Sequence, residues 1–240
     1  MSVTIHRAAD PAQAARDCAL WLAASLRSAI EARDRATLAV SGGTTPALLF
    51  DALVPLALDW SRLHVFFVDE RPVPPGDAQS NYTLCERHLL TPARVPPANV
   101  HRIAAELGPE RAAARYAAGL AAFFALAPGQ IPRFDAVQCG IGADCHTASL
   151  FPGEPLIADR ASLVAALPVA KLAQTRITLL PAVLLAARDL AILACGPDKH
   201  WALDQALHAP LETQRYPAQL LTQLRAGADL FADIAALPDR

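Results

Sequence analysis

A carboxylate, a one-residue spacer and an imidazole stand together in Asp144-Cys145-His146, one residue beyond the glycine-rich stretch Gly140-Ile141-Gly142. That spacing lets Asp144 hold the ring of His146 for general-base work, a role suited to a side chain that titrates near neutral pH. A positioned base contributes roughly 10²–10⁴-fold in rate, enough for an ester that is already activated. Taken alone, the tripeptide also reads as a surface loop with an incidental histidine. The other six histidines (His6, His64, His88, His101, His200 and His208) have no comparable setting and read as structural or exposed.

A second segment, Ser41-Gly42-Gly43-Thr44-Thr45-Pro46, has the composition of an anion cradle. Two glycines let backbone N–H groups approach an oxyanion, a following helix adds its positive end, and the hydroxyls supply further donors. The same residues would also suit an ordinary capped turn. Cations could complete the cradle. Arg71, Arg176 and Lys199 each lie beside an expected strand end or loop, and Lys199 is one of only two lysines, with Lys171. Arginine grips phosphate bidentately, and lysine acts as a point charge.

Competing chemistries find little support. The chain has no G-x-S-x-G elbow, no H-E-x-x-H, no G-K-[ST] phosphate loop and no G-x-G-x-x-G. Asp69, Asp144 and His146 could in principle share a metal, but no His/Cys cluster accompanies them, so a metal site finds little support. Cys145 neighbours His146, yet adjacent side chains of an extended loop point apart. The five cysteines are odd in number, scattered and without a C-x-x-C pair, which argues against a disulfide framework and suits a reducing compartment.

These groups need a scaffold. The 240 residues are 53% hydrophobic and 18% charged, enough apolar content for a large core. A net charge of −2 gives no global field for nucleic acid or an anionic membrane. The first residues lack an apolar h-region, and no apolar run approaches the ~20 residues of a membrane span. The expectation is a soluble, cytoplasmic chain, a monomer or weak homo-oligomer, forming one domain over 1–240.

Cys18, Leu22, Leu26 and Ile30 recur at i+4, which predicts a helix over 11–31 with Asp10 as N-cap and Pro11 at its first position. Strands are expected at 37–40, 63–68, 134–139, 176–179 and 190–195, and further helices at 46–53, 81–90, 110–127, from 181, and 197–208. This alternation predicts a three-layer, Rossmann-like α/β fold with a mostly parallel sheet and helices on both faces. In such sheets ligands bind beyond the strands' carboxyl ends. Four strands lead straight into Ser41–Thr44, Asp69-Glu70-Arg71, Gly140–His146 and Gly196–Lys199, so all four segments should converge on one edge.

In order and spacing these segments resemble the 6-phosphogluconolactonase family, within the superfamily that includes glucosamine-6-phosphate deaminases. The likeness runs from the N-terminal helix to about Leu237. It is carried by Ser41–Pro46, by Val68-Asp69-Glu70-Arg71 with Ser80-Asn81-Tyr82, and by Asp144-x-His146-Thr147-Ala148-Ser149-Leu150-Phe151-Pro152-Gly153. Arg176-Ile177-Thr178-Leu179 and Gly196-x-x-Lys199 complete it. The resemblance implies hydrolysis of a phosphorylated sugar lactone without metal or cofactor. His146 would be the base and Asp144 its orienting partner. Ser41, Gly42, Gly43, Thr44, Arg71, Arg176 and Lys199 would hold the phosphate, with Asp69 at the substrate.

Two departures are informative. Deaminases resemble Asp-Gly-His-x-x-x-x-Glu in this loop, whereas here the last place holds Phe151, which cannot move a proton. Relatives usually have glycine where this chain has Cys145. If that backbone takes positive φ, a side chain there costs on the order of 1–2 kcal/mol. The alternatives are a deaminase- or isomerase-type enzyme, and a sugar-phosphate sensor that binds without catalysis. The segment Asp229–Asp233 follows the family only loosely and is assigned nothing.

Overall fold

Residues 3–224 and 226–238 are described by the structure, a computed structural model. The first half of the chain forms β1 (Val3–Ala8), α1 (Pro11–Arg33), β2 (Ala36–Val40), α2 (Thr44–Leu53), β3 (Leu63–Phe67), β4 (Asp69–Glu70), α3 (Asn81–Cys85), β5 (Val100–His101) and α4 (Pro109–Phe123). The second half forms β6 (Ala136–Cys139), β7 (Val164–Val169), β8 (Gln174–Leu179), α5 (Pro181–Leu185), β9 (Asp189–Leu193), α6 (His200–His208) and β10 (Ala228–Asp233). Seven strands make a parallel sheet in the order β1-β10-β9-β6-β2-β3-β5, flanked by helices. Every residue of β2 and β6 is buried, as expected for central strands covered on both faces.

Local chemistry sets the helix ends. Asp10 caps α1 by accepting from the Gln13 N–H at 2.8 Å, and Pro11 follows it. The helix stops where Asp34 turns left-handed at φ 63° and returns its N–H to the Ile30 carbonyl. α4 ends at Phe123, short of the predicted 127. Ala125 is left-handed at φ 50°, while Phe123 and Phe124 pack edge-on against Phe66 and Phe134. The helix predicted over 81–90 is α-helical to Cys85, then widens into a π turn in which the Thr91 N–H reaches the Glu86 carbonyl.

The strand predicted at 176–179 belongs to no parallel sheet. As part of β8 it pairs antiparallel with β7 and β4 in a separate three-stranded sheet. That sheet branches off the end of β3, where the Leu179 N–H donates to the Val68 carbonyl at 2.8 Å. β1 and β10, not predicted as strands, pair in parallel at one edge of the large sheet. β1 is half-exposed, so it lacks the continuous apolar run that marks the inner strands. Among the described residues no helix is long and apolar enough to cross a membrane.

Candidate active site

The four strands β9, β6, β2 and β3 are consecutive neighbours in the sheet, so the four chemistry-bearing segments that follow them lie side by side. The chain moves outward from β2 through β3 to β5, then returns to place β6 on the other flank of β2. The crevice between β2 and β6 is therefore a topological switch point, where open α/β sheets bind ligands. Ser41 leaves one of these strands, and the Gly140–His146 loop leaves the other.

His146 is held by its own loop. Asp144 Oδ1 meets His146 Nδ1 at 2.5 Å and accepts from the His146 backbone N–H at 3.2 Å. The Gly142 N–H donates to the His146 carbonyl, and the Thr147 hydroxyl donates back to the Gly140 carbonyl. A Cβ on Gly142 would stand 2.0 Å from His146 Nδ1, so the imidazole occupies space that only glycine leaves. The Phe151 ring lies 4.3 Å from the imidazole, and Lys171 sits over Phe151 while pairing with Asp144 Oδ2. Cys145 does take positive φ, at 69°, and its buried Sγ turns away toward the Ala202 carbonyl. Burial pushes that thiol up to about 11, which leaves it protonated at neutral pH.

The imidazole is neutral at physiological pH. Burial is the largest cause; Asp69 opposes it, while Lys199, Arg176 and Arg71 reinforce it, and together they bring His146 down to about 4. Because Nδ1 faces a carboxylate acceptor, it carries the proton, and Nε2 has no hydrogen-bond partner among the described residues.

Three adjoining cavities make up the cleft, and His146 lines two of them. One of about 490 Å³ is walled by Gly42, Gly43, Thr44 and Lys199. A second, about 190 Å³, brings Ser41, Gly42, Asp69, Arg71, His146 and Lys199 together. The third, about 360 Å³, is lined by Asp69, Arg71, Asp144, His146, Lys171 and Arg176. The predicted residues thus share one cleft, yet the expected three-cation cradle is divided. Lys199 lines the first two cavities and Arg176 the third, with Arg71 and His146 between. Ser41 also differs from expectation in detail: its hydroxyl donates inward to the Gln138 carbonyl at 3.2 Å.

Several supporting residues had no role in the sequence reading. Glu70, buried, accepts from the N–H groups of Arg71, Asn81 and Tyr82 and from the Ser80 hydroxyl, and so fixes the start of α3. Burial raises its pKa, and those hydrogen bonds oppose the rise. Asp69 accepts from Ser149 Oγ at 2.6 Å and from Asn81 Nδ2 at 3.1 Å. Gln138 Oε1 holds the Ser41 N–H. Asn81 and Ser149 stand in the very stretches that carried the family resemblance, and Lys171 was marked by the rarity of lysine. Among the described residues, no three His, Cys, Asp or Glu side chains gather where they could hold a metal ion.

Comparison with known proteins bears on this site. The family described as glucosamine-6-phosphate isomerases/6-phosphogluconolactonase matches residues 9–230. A 6-phosphogluconolactonase of Synechocystis sp. is 36% identical over 199 residues, which cover 82% of this chain and 81% of that one. The crystal structure of a 6-phosphogluconolactonase from Shewanella baltica OS155 is 29% identical with a TM-score of 0.85, covering 97% of this chain and 98% of that one. A monomeric glucosamine-6-phosphate deaminase has a TM-score of 0.82 at 15% identity, over 97% and 98% of the two chains. That last likeness is one of fold alone, and it means the fold does not separate the two chemistries. The side chains must.

Proposed function

The chain belongs to the glucosamine-6-phosphate isomerase/6-phosphogluconolactonase family, and on that premise we propose that it hydrolyses 6-phospho-D-glucono-1,5-lactone to 6-phosphogluconate, a step of the oxidative pentose phosphate pathway. The observation that carries this reading is a neutral imidazole, oriented by Asp144 and facing cavities walled by cations.

In the mechanism, His146 Nε2 takes a proton from water as the water oxygen attacks the lactone carbonyl carbon. Asp144 keeps the ring in the required tautomer and stabilises the imidazolium that forms. The bond from that carbon to the ring oxygen then breaks, and the imidazolium returns the proton to the departing oxygen. The phosphoryl group binds at the turn of Gly42, Gly43 and Thr44 with Lys199, where the N-terminus of α2 offers N–H groups, and Ser41, tied to Gln138, anchors that turn. Arg71 and Arg176 add positive potential from the adjoining cavity and offset the charge gathering on the carbonyl oxygen. Asp69 lies against the substrate between the two groups of cations.

Phe151 favours this reading over deamination. Its ring touches the imidazole at the place where the deaminase pattern has a carboxylate, so the group that would shuttle protons in ring opening is replaced by hydrocarbon. The test is His146→Ala, assayed against the spontaneous hydrolysis background. We expect kcat/KM to fall by about 10²-fold or more, in line with loss of a general base. Unchanged turnover would refute the assignment, and tight binding of 6-phosphogluconate by a wild type that hydrolyses nothing would point to a sensor.

A further inference from the structure

The amide of Asn81 lies between Asp69 and the Gly42 turn and so joins two parts of the cleft. Its Nδ2 donates to the Asp69 carbonyl at 2.9 Å and to Asp69 Oδ1 at 3.1 Å. Both partners are pure acceptors, so the amide cannot be turned over, and Oδ1 must face the other way. It faces Gly42. A Cβ on Gly42 would meet Asn81 Oδ1 at 1.8 Å and Cγ at 2.4 Å, which means Asn81 fills the place of a side chain at residue 42. Asn81 is 2% exposed, and its Oδ1 has no hydrogen-bond partner among the described residues.

An orphaned buried acceptor is destabilising, so its presence asks for a reason other than stability. The surroundings supply one. The Asn81 N–H is itself pinned by Glu70 Oε1 at 2.7 Å, and Asp69 is tied on its far oxygen to Ser149, three residues from His146. The Gly42 turn, Asn81, Asp69, Ser149 and the His146 loop thus form one contiguous brace across the ends of β2, β3 and β6.

We propose that Asn81 is a positioning residue that sets the register between the Gly42 turn, where the phosphoryl group is held, and the Asp69–Ser149–His146 frame, where the ester is cut. This rests on the lactonase reading. A phosphorylated lactone is held at one end and cut at the other, so the distance between grip and base decides whether the bound carbonyl lies over the imidazole. A misplacement of ~1 Å can cost about 10²-fold in rate without weakening the grip.

The experiment measures kcat and KM for 6-phosphoglucono-1,5-lactone in wild type, Asn81→Ala, Gly42→Ala and the double variant. Asn81→Ala should lose about ten- to a hundredfold in kcat while KM stays within about threefold, because the grip survives and the alignment does not. Gly42→Ala should be worse than the double variant, since removing the Asn81 side chain makes room for the new methyl. A role in stability alone predicts a wild-type kcat for whatever fraction folds, measured by active-site titration with 6-phosphogluconate. That result, or a double variant no better than Gly42→Ala, overturns the proposal. An inactive wild type would instead sink the lactonase reading, and this inference with it.

Discussion

His146 stands between two neighbourhoods that bring positive charge to the cleft by different means. On one side the donors belong to the parallel sheet: glycine turns after β2, β6 and β9, the N-terminus of α2, and Lys199, whose side chain is 24% exposed. On the other side the charge comes from the small antiparallel sheet. Arg176 projects from β8, and Lys171, at the turn between β7 and β8, has a side chain 48% exposed. Backbone N–H groups fixed by a buried sheet need no rearrangement to meet an anion, so the first side suits binding of a permanent charge. Arg176 lines the same cavity as His146, where a cation offsets a charge that appears during reaction. On the proposed function we assign the first side to grip and the second to chemistry.

The most damaging way to break that division is to move the ring that creates it. Gly142→Ala places a methyl 2.0 Å from His146 Nδ1 and 2.8 Å from Asp144 Oδ1, so the imidazole must leave its seat. We expect kcat to fall by about 10²-fold or more, approaching His146→Ala, with binding of 6-phosphogluconate largely kept. Steady-state kinetics and calorimetric titration check this. A near-normal kcat would show that the seat over Gly142 is not the working position.

A milder pair of variants sharpens the contrast between the sides. Lys199→Ala removes a charge-assisted contact worth about 1.5–3 kcal/mol, and KM should rise by on the order of 10–100-fold with kcat less affected. Arg176→Ala should do the reverse, lowering kcat by about tenfold with a smaller rise in KM. If both variants act on KM alone, both cations grip phosphate and the division drawn above is wrong. The same kinetic series decides it.

Sequence pattern was informative where local physics dominates. The apolar runs of β2, β3, β6 and β9, and the turns that follow them, marked both the parallel sheet and the edge where the candidate site lies. Asp144 and His146 are two residues apart, so their hydrogen bond was visible as spacing. What stayed hidden depends on contacts between distant segments. β1 and β10 become strands only by pairing with each other and with β9. β8 pairs antiparallel with β4, a short extension of β3 that no sequence period reveals. The division of the cations had the same origin, because which cavity Arg176 lines follows from that appended sheet. Asn81 was hidden for another reason: only the missing Cβ of Gly42 gives its amide a place to lie.

The smallest effect tests the two sides together. His146 is depressed chiefly by burial, and after the opposing Asp69 by Lys199, Arg176 and Arg71 in that order. Lys199 acts from the sheet side, and Arg176 from the hairpin side. Because the phosphoryl group of the substrate also titrates near ~6, the imidazole is best followed directly, by NMR of histidine-labelled free enzyme with His146→Ala for assignment. Wild type should titrate at about 4. Lys199→Ala and Arg176→Ala should each move the midpoint up, the first by more, since removing a nearby cation makes the imidazolium less costly. The sign for stability follows. Below the ordinary value near ~6.5 the unfolded chain takes up a proton that folded His146 refuses, so this residue's contribution is full above that pH and is lost as pH falls toward about 4. A wild-type midpoint near the ordinary value, or one that neither variant moves, would mean that the two cations do not converge on the imidazole, and the division into grip and chemistry would lose its shared centre.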